Sequence, residues 1–111
     1  MFISAVDYDK EQIDRAVTVV REKFPNDVER IAYSVREDWA DDPALFFRVL
    51  LKDREGTLSQ FRPPSRLDDV LSLCSSIMID LRSAVRAYRL QPYFAFRWVS
   101  EQERLRDPEW N

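Results

Sequence analysis

The stretch from Val70 to Ile79, VLSLCSSIMI, contains no charged residue, although 33% of the chain is charged. Apolar residues recur at helical spacing through it and on both sides of it, so we predict one long helix over residues 66–89, capped by Ser65. A helix with a continuous apolar stripe has to bury it against another element. The members of the predicted stripe are Leu67, Val70, Leu71, Cys74, Ile77, Met78, Leu81, Val85 and Tyr88.

The opposite side of this helix carries Ser72, Ser76, Ile79 and Ser83. Small residues at this spacing let another backbone approach closely, and Ile79 stands where a surface helix would normally carry a charge. Three interpretations stay open: a solvated face, packing by the chain's own first or last helix, and contact with another molecule. We retain the four residues as a predicted second interface.

Prolines and aspartates divide the rest of the chain into shorter elements. In order, they are a weak strand at 1–6, a helix at 9–24 capped by Asp9, strands at 28–37 and 44–52, the long helix, a strand at 93–99 and a short helix with a Ser100/Glu103 capping box. This βαββαβ order predicts a single α+β domain over residues 1–111, with helices on one face of an antiparallel, ferredoxin-like sheet. Without the first strand, a three-stranded α+β sandwich remains.

The composition excludes several kinds of chemistry. The chain has no histidine, which removes histidine-based catalysis and Cys/His zinc sites, and its one glycine, Gly56, cannot form a phosphate-binding glycine loop. The single cysteine, Cys74, excludes an internal disulfide and is expected to serve packing. We therefore predict no cofactor and, because no long apolar run or leader is present, a cytoplasmic protein that does not enter membranes.

Carboxylates crowd one predicted turn, at Glu37, Asp38, Asp41 and Asp42. Their spacing matches no calcium loop, and aspartates beside Pro43 are typical of turns, so we predict no metal site. An enzyme would have to use Arg, Tyr and carboxylates alone. This favours a protein that is not an enzyme, although the enzyme question stays open.

Strand alternation predicts a second, open face of the sheet that is rich in cations and aromatics. We predict that this face is an interface or a ligand-binding face. Its predicted contact residues are Arg30, Arg36, Phe46, Arg48, Leu50, Tyr93 and Arg97, and Lys52 and Val99 lie beside them. Three uses stay open: contact with a second copy or a partner protein, stacking of single-stranded nucleic acid as in RRM-type domains, and a solvated face whose arginines pair with carboxylates. The net charge of −3 argues against nucleic acid.

Two segments, EDWADDPALFFRVLLKD (37–53) and PYFAFRWVSEQERLRDPEW (92–110), resemble small bacterial proteins in which an aromatic–x–Phe–Arg strand continues into Ser–Glu–Gln. The resemblance covers about a third of the chain and carries no catalytic motif. Some of these proteins belong to two-gene modules with a helical partner, so the resemblance implies an interaction protein.

The leading hypothesis is a small non-enzymatic interaction protein, either a homodimer or part of a complex with another protein. Single-stranded nucleic-acid binding is the first alternative, and a small enzyme acting on an anionic metabolite is the second. In the leading hypothesis the contact is made by the arginine-rich sheet face or by the back of the long helix, whereas both alternatives use the sheet face.

Overall fold

The computed structural model describes residues 9–53, 64–86, 88 and 90–110, except for the side chains of 64–68. The elements are α1 (Lys10–Lys23), β1 (Val28–Glu37), β2 (Pro43–Leu51), α2 (Pro64–Ala84), β3 (Gln91–Trp98), α3 (Val99–Leu105) and a 3-10 turn (Pro108–Trp110). The predicted strand at 1–6 lies outside the described residues, as does the predicted cap side chain of Ser65.

The three strands form one mixed sheet in the order β1-β2-β3. β1 and β2 form an antiparallel hairpin, and β3 pairs with β2 in parallel. The predicted all-antiparallel sheet is therefore wrong. The physical reason is α2, which carries the chain back along the sheet between β2 and β3 so that both strands start at the same end.

The α+β class is confirmed, with three helices and a three-stranded sheet among the described residues. The ferredoxin-like order is not confirmed. In that split arrangement another strand separates the two strands that a crossover helix joins, whereas β2 and β3 pair directly from Ala44↔Gln91 to Leu51↔Trp98.

The hydrophobic core lies between α1 and α2 on one side and the sheet on the other. The strand residues that alternate with the predicted open face lie toward the helices, and ten of them belong to this core or pack against it: Ile31, Tyr33, Val35, Leu45, Phe47, Val49, Leu51, Phe94, Phe96 and Trp98. Burial of these side chains is the main favourable term in the stability of the fold. A salt bridge of 2.7 Å between Lys23 Nζ and Asp80 Oδ2 joins α1 to α2 at the surface.

The buried stripe of α2 is rotated from its predicted position. Leu73, which the prediction omitted, is 8% exposed, whereas Leu71, which it included, is 56% exposed. The stripe is centred on Leu73, Ile77, Leu81 and Val85, an i, i+4 row. The helix also ends at Ala84, not at 89, because the chain must turn before Leu90 enters the core ahead of β3.

One helix cap was predicted correctly and one was not. Asp9 caps α1, since its Oδ1 accepts hydrogen bonds from the backbone amides of Glu11 and Gln12 at 2.9 and 3.4 Å. The predicted Ser100/Glu103 capping box is wrong, because α3 begins at Val99. There the Glu101 carboxylate accepts from the backbone amide of Trp98 at 3.1 Å.

Candidate interaction surface

The C-terminal segment, defined as Val99–Trp110, lies over part of the sheet face that the sequence predicted to be open. Two arginines of that face donate to its backbone: Arg30 Nη2 to the carbonyl of Trp110 and Arg48 Nε to the carbonyl of Glu109, both at 2.6 Å. The Trp110 side chain is only 6% exposed. The face opposite the α1–α2 layer is therefore shared between the chain's own C-terminal segment and solvent.

Arg97 is the third arginine that the C-terminal segment holds. Its Nη1 donates to Gln102 Oε1 at 2.7 Å and lies 3.7 Å from Asp107 Oδ2. Its guanidinium carbon lies 4.3 Å from the centroid of the Trp110 ring, within the range of a cation–π contact. The buried Gln102 amide also donates to the carbonyl of Asp107 at 2.6 Å, which fixes the bend that leads to Trp110. Hence Arg30, Arg48 and Arg97 each donate at least one hydrogen bond to the C-terminal segment.

Leu50 also lies under this segment. Its side chain is 5% exposed and, with Val99 and Gln102, lines a shallow groove beside α3. The prediction that Leu50 contributes to an exposed contact face is therefore wrong. Strand alternation placed Leu50 on the correct face of the sheet, but alternation alone does not show what covers that face.

The uncovered part of this face carries a row of aromatic rings. The rings of Phe46 and Tyr93 stack at 5.0 Å between centroids with planes 17° apart, and the Trp39 ring lies 5.1 Å from that of Tyr93, tilted by 56°. At the other end of the row, the Arg36 guanidinium lies 4.5 Å from the centroid of Phe46. We call Trp39, Tyr93, Phe46 and Arg36 the Trp39 surface.

Trp39 is the most exposed large apolar residue in the described part of the chain, at 81%. Its hairpin loop is nevertheless well fixed. Asp38 Oδ1 accepts from the backbone amides of Ala40 and Asp42 at 2.9 and 3.0 Å, and Asp41 has φ of 61°. Aspartate tolerates the left-handed conformation of Asp41, and the two amide bonds to the Asp38 side chain are typical of a turn. The predicted turn chemistry is therefore confirmed for these two aspartates.

A hydrogen bond from β3 also holds the loop in place. The Tyr93 hydroxyl donates to Asp38 Oδ2 at 2.8 Å. This bond, followed by that from the Asp42 amide, lowers the pKa of the Asp38 carboxyl below its usual range. The same bond, with desolvation, raises the pKa of the Tyr93 phenol. The loop therefore presents an ionised carboxylate next to the exposed indole ring of Trp39.

A shallow groove of about 540 Å³ runs along the outer edge of Trp39. It is lined by Asp38, Trp39, Ala40, Asp42, Pro43, Tyr88, Leu90, Gln91 and Tyr93. Among these lining residues there are two carboxylates and no lysine or arginine. The groove is thus acidic as well as aromatic.

The predicted second interface lies at the surface. Ser72, Ser76, Ile79 and Ser83 are exposed along α2, and Ile79 is 59% exposed. Within the described residues, neither α1 nor α3 covers this row, so packing by the first or last helix is not the explanation. Leu71 adds a second exposed apolar side chain close to it.

The structure also bears on the cysteine, on metal-binding groups and on membrane-spanning helices. Cys74 is half-buried and packs against the core. In the described ranges, no three His, Cys, Asp or Glu side chains form a group that would hold a metal ion, and no helix is long and apolar enough to cross a bilayer.

Comparison with protein-family models, with curated proteins and with solved structures finds no match to this chain. Function is therefore inferred from the side chains of the chain itself.

Two parts of the surface were missed from the sequence. Trp39 was treated only as part of a turn, although a tryptophan in the run WADDP has no other large apolar residue beside it inside the turn. The C-terminal RDPEW was not connected with the sheet face, although its carboxylates and its tryptophan complement a face rich in arginine.

Proposed function

We propose that the protein acts by binding another polypeptide, either a second copy or a different protein, and that the Trp39 surface makes the contact. The observation that carries the proposal is the exposure of Trp39, at 81%, on a loop held by hydrogen bonds on both sides. Exposed tryptophan is costly to hydrate and gains free energy when a partner covers it. Tryptophan, tyrosine and arginine are also the residues that most often dominate protein–protein binding energy.

The fixed loop supports the proposal in a second way. Binding costs conformational entropy when side chains and loops become ordered, and that cost is smaller when the contact residues are ordered beforehand. Asp38 and Tyr93 restrain the loop before any partner arrives, through the 2.8 Å bond between them. A fixed exposed ring suits recognition better than catalysis, and the described residues that line the groove beside it include no serine, cysteine or lysine.

The exposed row on α2 is retained as a proposed second contact surface, centred on Ile79. Its apolar side chains, Ile79 and Leu71, are less exposed than Trp39, and the row has no aromatic ring, so we place the main contact at Trp39. We also propose the cytoplasm as the compartment, because the single Cys74 suits a reducing environment.

Binding of single-stranded nucleic acid is the second candidate function. It is supported by the stacked rings of Phe46 and Tyr93 and by the Arg36 guanidinium over the Phe46 ring. Two observations weigh against it. Asp38 and Asp42 stand beside the rings, and Arg30, Arg48 and Arg97 donate within the chain. The same internal bonds weigh against an enzyme that would hold an anionic metabolite on those arginines. Strong salt-dependent binding of a labelled oligonucleotide would favour the nucleic-acid function.

The experiment compares the wild-type chain with Trp39→Ala and with the control Leu105→Ala, which truncates a 50% exposed apolar residue on α3. Solution mass is measured by light scattering over a concentration series, and each chain is used as bait in native cell extract. We expect self-association, or capture of a protein that then binds in purified form, to be lost in Trp39→Ala and kept in Leu105→Ala. Equal behaviour of all three chains would overturn the proposal.

A further inference from the structure

We infer that a partner protein bound at the Trp39 surface inserts a lysine or arginine side chain into the groove beside Trp39, where the cation contacts the indole ring and the Asp42 carboxylate. This inference rests on the proposed function and names the chemistry of the partner. It depends on three features of the groove: its charge, the state of its carboxylates and its exposed ring.

The charge of the groove is one-sided. Asp38 and Asp42 line it, Asp41 is exposed next to it, and none of its lining residues is a cation. The nearest described arginine on this face, Arg36, lies at the far end of the aromatic row, where it covers Phe46 and stands 3.8 Å from Glu109. Among the described residues that line the groove, a bound cation would therefore meet carboxylates and neither lysine nor arginine.

The two carboxylates of the groove differ in their availability. Both oxygens of Asp38 are occupied by hydrogen bonds from the chain, two from backbone amides and one from Tyr93. Asp42 differs, because its backbone takes part in the turn while no described residue hydrogen-bonds or ion-pairs with its exposed carboxylate. Asp42 is thus the group that a bound cation would pair with, and Asp38 adds a fixed negative charge nearby.

The exposed ring selects the same ligand. A lysine or arginine head group is attracted to an aromatic face, and tryptophan is the strongest of the aromatic acceptors. The alkyl stem of either side chain also suits a groove lined by Pro43 and Leu90, because it buries apolar surface behind the charged end. An acidic partner side chain would gain none of these contacts and would be repelled by Asp38 and Asp42.

The test uses acetylated, amidated nonapeptides of glycine and serine with a central leucine–X–leucine, where X is arginine, lysine, glutamine or glutamate. Binding is followed by the chemical shifts of the Trp39 indole N–H and of the loop amides. We expect the arginine and lysine peptides to shift these signals and the other two to have little effect. Asp42→Asn, which keeps the shape of the side chain, should weaken binding of the cationic peptides by about threefold to fivefold, the upper part of the range for an exposed ion pair. Glu22→Gln, which removes an exposed carboxylate on α1, should leave their binding unchanged.

The outcomes separate this inference from the proposed function. If the glutamine or glutamate peptide binds as tightly as the arginine peptide, or if Asp42→Asn binds like wild type, the inference is overturned, although the Trp39 surface would still bind polypeptide. Equal shifts with oligothymidylate would overturn it as well. Shifts that appear on raising the protein concentration alone would show that a second copy occupies the groove and would overturn it too. Failure of the proposed function is shown independently, by equal assembly and capture in Trp39→Ala and wild type.

Discussion

The Tyr93 hydroxyl on β3 donates a 2.8 Å hydrogen bond to the Asp38 carboxylate in the hairpin loop between β1 and β2. This bond connects the parallel edge strand with the loop that carries Trp39. It also places the Tyr93 ring between Phe46 and Trp39, in contact with both. The most exposed aromatic ring of the described chain is therefore held in position by the sheet itself.

Removal of this hydroxyl in Tyr93→Phe should raise the pKa of Asp38 toward its usual value, because the Tyr93 bond is the largest cause that lowers it. The pKa can be followed by the carboxyl carbon chemical shift during an acid titration. Tyr88→Phe is the matched control, since the Tyr88 hydroxyl donates to Gln12 and not to Asp38. An unchanged Asp38 pKa in Tyr93→Phe would show that the bond is absent in solution.

Truncation of two tryptophans should change the free energy of unfolding by very different amounts. Trp110→Ala removes a ring that is 6% exposed and leaves a cavity against the sheet face, so it should destabilise the protein by about 3 kcal/mol. Trp39→Ala changes an 81% exposed side chain and should alter stability by less than about 0.5 kcal/mol. Urea unfolding measures both values. Wild-type stability in Trp110→Ala would mean that the C-terminal segment does not pack on the sheet.

Leu50 and Ile79 form a second matched pair, because both are branched aliphatic residues that were predicted to belong to contact surfaces. Leu50→Ala should cost about 2 to 4 kcal/mol, since the side chain is buried beside α3. Ile79→Ala should be close to neutral, within about 0.5 kcal/mol, because its side chain is 59% exposed. A larger loss of unfolding free energy at Ile79 than at Leu50 would contradict the arrangement of α3 over the sheet.

Stability should fall in acid partly through Asp14 on α1. Its carboxylate accepts a 2.5 Å hydrogen bond from Tyr33 on β1 and a 2.9 Å bond from Lys10, and these lower its pKa below the usual 3.8. A lowered folded-state pKa adds stability above the unfolded pKa, which is lost as the pH falls through the folded one. Asp14→Asn should therefore be less stable than wild type at neutral pH, with a difference that shrinks as the pH drops below 3.8.

The measurement for this prediction is the urea midpoint of both chains at a series of pH values. Glu22→Gln, on the same helix, shows the effect of removing a carboxylate that is exposed. A difference between Asp14→Asn and wild type that does not vary with pH would contradict the role given to the ionised carboxylate.

Periodicity in the sequence was enough for most of the architecture. The alternation at 28–37 gave both the bounds of β1 and its buried face, and Asp9 gave the start of α1. Strand direction was not accessible in this way, because alternation is the same for parallel and antiparallel pairing. The choice of Leu71 over Leu73 has a similar origin, since both fit a helical period and the sheet decides which one is buried.

The contact surface was only partly accessible. Parity placed Phe46 and Tyr93 on the same face, where their rings stack. Strand alternation did not show that Arg30 and Arg48 donate hydrogen bonds to the C-terminal segment, because these bonds join residues far apart in the chain. Nor did it single out Trp39, whose exposure depends on a loop outside the strand alternation.

The most direct test of the central claim is the dissociation constant of the bound polypeptide, measured by titration calorimetry with purified components. The wild-type chain, Trp39→Ala and Leu105→Ala are compared side by side. We expect Trp39→Ala to weaken binding by about thirtyfold or more, as for a central tryptophan, and Leu105→Ala to bind like wild type. Equal affinity of Trp39→Ala and wild type would contradict the account, because the most exposed ring of the surface would then contribute nothing to recognition.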